Sequence, residues 1–134
     1  MNLVSVRLIT DDIEGMVAFY EKVLGVTASR PAPIFAEFNT PNGTLAIGAR
    51  ATVDMMAADA ARPADNHTAI IEFIVEDVDA VFAELAWVRD VVSEPKTMPW
   101  GNRSLLIRDP DGNLLNFFTP ASDAAVEKFS RFER

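Results

Sequence analysis

Residues 99–120, PWGNRSLLIRDPDGNLLNFFTP, read as strand, tight turn, strand. Ser104 to Arg108 is rich in aliphatic side chains, Asp109-Pro110-Asp111-Gly112 is turn chemistry, and Leu114 to Phe118 resumes the apolar run. Pro110 pre-sets a turn φ, and Gly112 supplies the positive φ that closes the turn. Alone, the stretch is a hairpin. It decides the fold because Thr40-Pro41-Asn42-Gly43, followed by the apolar run Thr44 to Ala49, is an earlier copy of it.

Working outward, the copy extends to the whole half-chain. Asp12, Ile13, Met16, Val17, Tyr20 and Val23 align at constant offset with Asp77, Val78, Val81, Phe82, Leu85 and Val88. Before the first helix, Leu3 to Ile9 alternates, with Val4, Val6 and Leu8 on an apolar face expected to pack on a helix. Asp11 is the expected N-cap, with Glu14 in capping-box position, and Gly25 is the stop. Val26 to Arg30, Ile34 to Asn39 and Thr44 to Ala49 then read as strands. In the second half Thr68 to Val75 alternates, Asp77 to Val88 is an amphipathic helix, and Val91 to Ser93 is a short strand. Glu94 to Pro99 then loops into the hairpin. Each half is strand, helix, three strands, and one such half cannot bury both faces of its sheet alone.

This gives an α+β fold of two βαβββ modules, 1–49 and 67–120, in a single domain spanning 1–134. Between them 50–66 is a linker rich in Ala, Asp and Pro, with Met55 and Met56 in its middle. The chain ends, over 121–134, in a short helix with Val126, Phe129 and Phe132 as apolar positions.

Composition narrows the function. The chain has 134 residues, 49% hydrophobic, enough for one core without cross-links. Without cysteine it has no disulfide, thiolate nucleophile or thiolate metal site. A net charge of -8 repels phosphate backbones and anionic membranes, so neither nucleic acid nor membrane is an expected partner. The opening MNLVSVRLITDD lacks a basic region before its apolar run, and a cytoplasmic protein is the expectation.

Asp12 with Phe19-Tyr20-Glu21-Lys22-Val23-Leu24-Gly25, Val75-Glu76-Asp77-Val78-Asp79, Trp100-Gly101 and Arg108-Asp109-Pro110-Asp111-Gly112-Asn113 together resemble the vicinal oxygen chelate superfamily. That superfamily includes glyoxalase, bleomycin-resistance and extradiol dioxygenase proteins. The resemblance implies curved mixed sheets enclosing a cavity, commonly completed across a homodimer, with a small organic molecule as partner.

Enzymes of that superfamily carry His, Gln or Glu ligands seven residues before each helix-opening aspartate and four after the glycine of each Pro-x-Gly turn. The matching positions here are Ser5, Ile70, Ile47 and Asn116. Isoleucine cannot ligate, and Ser and Asn are weak neutral donors, so no metal and no other cofactor is expected. A displaced site would draw on His67, Glu72 and Glu37.

Arg7 and Glu72 occupy equivalent positions in the two modules and either pair with each other or anchor a ligand, Glu72 accepting from an amine and Arg7 gripping a carboxylate. The indole of Trp100 either stacks on a ligand or plugs the fold. Arg103, Leu105 and Ile107 are expected on the face of Asn116. The expected ligand contacts are therefore Ser5, Arg7, Ile47, Ile70, Glu72, Trp100, Arg103, Asn116 and Phe118. The leading function is a metal-independent binding protein that sequesters an antibiotic or other toxic metabolite. The alternatives are a lyase or dioxygenase with displaced ligands, a metal-free isomerase using Glu72 as base, and a purely structural protein.

Overall fold

The computed structural model describes all 134 residues, and its chain divides into two compact units, Met1–Asn66 with Pro110–Gly112, and His67–Asp109 with Asn113–Arg134. The first unit runs β1 (Ser5–Thr10), α1 (Ile13–Leu24), β2 (Ser29–Ala32), β3 (Phe35–Thr40), β4 (Gly43–Ala49) and α2 (Arg50–Asp54). Its strands lie in the order β1-β4-β3-β2, β1 parallel to β4 and the others antiparallel. The parallel pair needs a crossover, which α1 supplies.

The second unit repeats the topology: β5 (Ile70–Ile74), α3 (Val78–Glu84), β6 (Val91–Thr97), β7 (Asn102–Arg108), β8 (Leu114–Pro120) and a closing α4 (Asp123–Lys128). Its sheet order is β5-β8-β7-β6, again with the first strand parallel to the last. The α+β class and the two βαβββ modules of mixed sheet are therefore as the repeat implies.

Both crossover helices open on aligned aspartates. Asp12 accepts from the Gly15 N–H at 3.0 Å, and Asp77 accepts from the N–H groups of Asp79 and Ala80 at 3.0 and 3.1 Å. The sequence pointed to Asp11 and Glu14 as the first cap, but Asp11 binds Arg50 and Glu14 binds Arg30. Asp12 wins because it stands three residues before an N–H whose residue, Gly15, has no side chain to meet its carboxylate. Gly25 ends α1 in the left-handed conformation, φ 67°.

Each helix covers one face of its own sheet. In the first unit Met16, Val17 and Tyr20 of α1 are buried, and the Tyr20 ring lies 5.9 Å from that of Phe38. Register places Phe38 beside Leu45 and Val6, and Ala36 beside Ile47 and Leu8, on the α1 side. Of the apolar face Val4, Val6 and Leu8, only Leu8 is buried, because β1 is the outer strand of its sheet. In the second unit Val78 and Leu85 are buried, and Phe73 stacks on Phe117 at 5.2 Å beside Leu105 and Ile107.

Other differences are of extent. The strand placed at Val26 to Arg30 is Ser29–Ala32, held in register by β3. β6 runs on to Thr97 through the expected loop, because β7 offers it partners to Arg103. In α4 it is Ala125, not Val126, that is buried, packed near Gly101. The β7–β8 hairpin is tied by Asp109, whose carboxylate accepts from the backbone and side-chain amides of Asn113 at 2.9 and 2.8 Å, while Gly112 turns at φ 83°.

Candidate functional site

Strand alternation sends every second residue of each sheet away from its helix. In the second unit Asn116 fixes which set this is. Its Nδ2 donates to Glu72 Oε2 at 2.7 Å, and the two residues are register partners across β5 and β8. Ile70, Glu72, Ile74, Leu114, Asn116 and Phe118 thus share the face opposite α3. Register across β7 adds Leu106 beside Asn116, Ser104 beside Phe118 and Asn102 beside Pro120.

This far face is polar in a way that packing does not explain. Asn102, Ser104 and Asn116 are 8%, 7% and 8% exposed, and Asn102 Oδ1, Ser104 Oγ and Asn116 Oδ1 meet no hydrogen-bond partner. A buried polar atom left in this way costs about 1–3 kcal/mol. Glu72 is exposed, and its one partner is the Asn116 amide. Phe118 is buried, its ring meeting that of Phe129, the C-cap of α4, edge-on at 5.0 Å.

Two expected contacts lie on the opposite side. Arg103 faces α3, where its Nε and Nη2 donate to Asp79 at 2.6 and 2.7 Å. The guanidinium's hydrogen bonds, with its charge, hold the Asp79 carboxyl below the usual carboxylate range. Leu105 and Ile107 share that side, so the hairpin register is one residue away from the one the sequence suggested. Ile47 is fully buried on the α1 side, beside Leu8 and Ala36. The first-unit counterpart of Asn116 is Ala46, the register partner of Arg7, because the first turn leaves two residues between the paired Thr40 and Gly43 and the second leaves five between the paired Arg108 and Leu114, an odd difference that reverses side-chain parity.

Ser5 and Arg7 sit on the first unit's own far face and are exposed. The Arg7 guanidinium lies 5.1 Å from the Phe35 ring centroid, and its Nη1 donates to Met56 Sδ at 3.7 Å. Gly48 lies between Arg7 and Phe35, and a Cβ there would stand 2.6 Å from Thr52 Oγ1 and 3.5 Å from Arg7 Cδ. Arg7 has no carboxylate partner. Trp100 is 68% exposed at the tip of the β6–β7 hairpin, closed by the Gly101 N–H on the Met98 carbonyl at 2.9 Å.

The positions at which the superfamily's enzymes place ligands thus hold Ser5, Ala46, Ile70 and Asn116, which do not fit a metal ion: two offer no donor and two only neutral oxygen or nitrogen. No group of three or more His, Cys, Asp or Glu side chains could hold a metal, which includes His67, Glu72 and Glu37. No helix is long and apolar enough to cross a membrane.

Residues 2–117 match the Glyoxalase/Bleomycin resistance protein/Dioxygenase superfamily. Among solved structures, a glyoxalase/bleomycin resistance protein/dioxygenase from Nocardioides is 25% identical with a TM-score of 0.73, over 92% of this chain and 85% of that one. A family enzyme from Burkholderia phytofirmans PsJN is 20% identical with a TM-score of 0.78, over 90% and 99%. A virulence protein from Salmonella typhimurium is 25% identical with a TM-score of 0.70, over 89% and 96%. None of the curated proteins compared with the chain matches it. With the family match spanning both modules and the same fold in these relatives, the chain belongs to the glyoxalase/bleomycin resistance protein/dioxygenase superfamily.

Proposed function

We propose that this protein is a metal-independent binding protein whose ligand contacts the far face of the second module, and that it sequesters a small organic molecule such as an antibiotic or toxic metabolite. One observation supports this reading above the others: Asn102, Ser104 and Asn116 present three buried, unpartnered polar atoms on one side of one sheet. A protein interior of native quality leaves few such atoms, and a group of them points to a partner outside the chain. Ile70, Glu72 and Phe118 lie on the same face and complete the contact set there. On the first module's own far face Ser5 and Arg7 are proposed contacts, Arg7 being a cation with no carboxylate partner. Trp100 is a proposed stacking surface.

As in the family resemblance, we propose a homodimer. Leu3, Val4 and Val6, at 80%, 66% and 43% exposure, line the outer strand β1 and its approach, a surface that favours cover by a second copy.

The test has two readings on the full chain. Metal analysis after purification without chelator should give far less than one equivalent of Zn, Ni, Mn or Fe, and a stoichiometric, tightly held metal overturns metal independence. A small-molecule screen followed by side-chain amide NMR should find compounds that shift the Asn102 and Asn116 signals and lose affinity at least tenfold in Asn116→Leu. Compounds that bind with those signals unmoved would place the ligand elsewhere.

A further inference from the structure

We infer that the second module's far face selects a ligand carrying an ammonium group, with Glu72 and Asn116 Oδ1 receiving its N–H donors. The inference rests on the proposal that this face binds a ligand, and adds the ligand's chemistry. A carboxylate only accepts hydrogen bonds, so Glu72 settles the orientation of the Asn116 amide: Nδ2 must face Glu72, and Oδ1 must be the unpartnered end. What Asn116 lacks is therefore a donor, not an acceptor.

The charge points the same way. Glu72 is held by a neutral amide alone, and neither cation on this face pairs with it. Lys96 is the register partner of Ser104 on β6, and Glu72 is on β5, the opposite outer strand. Three strand spacings, about 14 Å, separate those strands, more than a Debye length at physiological salt. Arg108 shares a row with Leu114 and Ile70, one step along from Glu72, and makes no ion pair with it. An exposed carboxylate without a cation, next to a buried oxygen without a donor, is half of a receptor for a group bearing both positive charge and N–H.

A metal ion meets only one anionic ligand here, too few for a hard divalent cation, whereas an ammonium has three donors to distribute. Glu72 takes the first from solvent, since its carboxylate is exposed, and Asn116 Oδ1 takes the second. Ser104 Oγ, diagonal to Asn116 across the β7–β8 pair, lies within reach of the same ligand at a typical 7–8 Å between such neighbours. Ile70, Ile74 and Leu114 are apolar neighbours on that face, so the ligand's body next to its ammonium is apolar.

Three matched probes test this on the full-length protein: phenethylammonium, phenethyl alcohol and phenylacetate, titrated by side-chain amide NMR. The ammonium should move the Asn116 amide and bind at least tenfold tighter than the alcohol, with phenylacetate weakest. Glu72→Gln, which leaves an acceptor for Asn116 Nδ2, should bring the ammonium and the alcohol within about threefold of each other, and Asn116→Asp should widen the gap. If ammonium and alcohol move Asn116 with equal affinity, the ammonium inference fails while the ligand face stands. If phenylacetate binds tightest, charge selectivity runs the other way and the inference fails. If no probe moves any residue of this face, only water satisfies these atoms and both readings fall together.

Discussion

At the scale of single residues, the unpartnered polar atoms of the second module's far face weigh against its stability. Ser104 Oγ is buried with no partner, so removing it removes a penalty rather than a bond. Ser104→Ala should raise stability by about 1 kcal/mol, read as an increased denaturant midpoint at unchanged slope. A loss of stability would mean that the hydroxyl is satisfied in solution. The opposite face carries a group with a plain pH signature. Arg103, first by hydrogen bonding and then by charge, holds the Asp79 carboxyl below its ordinary value of 3.8. A carboxyl lowered on folding stabilises the native state above its unfolded value and stops doing so as pH falls through the lower, folded value. The dependence on this pair should therefore be confined to the acid range below about 3.8. Arg103→Met should return the Asp79 midpoint upward to its ordinary range in a carboxyl NMR titration. It should leave ligand affinity unchanged, because Arg103 faces α3 and not the proposed site.

At the scale of elements, turns decide what each strand offers. Gly101 bends at φ 96°, its carbonyl accepts from the N–H groups of Ala121 and Ser122 at 2.8 and 3.0 Å, and a Cβ there would run into the Ser122 hydroxyl. Ser122 is also the cap of α4, accepting from the Ala125 N–H at 3.1 Å. Gly101→Ala should cost at least about 1 kcal/mol and loosen α4 first, so the amides of Ala125 and Val126 should exchange faster than those of β7. Equal slowing or equal loss across both elements would show that α4 is not docked through this turn. Turns also mark where the sequence stopped being legible. The helices and the repeated modules were readable from periodicity and repeat, but the first cap was read at Asp11, one residue before the Asp12 that the alignment with Asp77 marks. Faces were not, because a hairpin's side-chain parity depends on how many residues its turn consumes, and the two Pro-x-Gly turns consume different numbers. That odd difference moved Ile47 to the α1 side and put Ala46 opposite Arg7, and a one-residue slip sent Arg103 to Asp79. Asn116 and Glu72 were legible as residues of one face because they lie on strands paired directly in one register. Asn102 and Ser104 were missed: their alternation with Leu106 was visible, but burial without a partner has no signature in one dimension.

At the scale of the whole molecule, charge and edges govern what the protein meets. A net charge of -8 disfavours self-association through polar surface, so a stable homodimer has to be held by apolar contact or strand pairing. The outer strand β1 meets that need: Leu3 and Val4 precede it, Val6 lies within it, and all three are exposed in the single chain. Natural edge strands of monomers are usually protected by lysine, proline or a bulge, and Leu3 to Val6 carries none of these. Sedimentation velocity should accordingly show a species of twice the 14.7 kDa chain mass, with the equilibrium moving toward that species as salt screens the acidic surface. Val6→Lys places a charge on the exposed part of the edge without touching Leu8, the residue of that face that is buried. It should shift the protein to monomer while its far-ultraviolet dichroism stays unchanged. If Val6→Lys remains dimeric, or if the unmodified protein sediments as a monomer at every concentration tested, β1 is not the seam. If it becomes monomeric and still binds the ammonium probe at Asn116 with unchanged affinity, the ligand face of the second module is complete without the partner copy, as the register of β5, β7 and β8 within one unit implies.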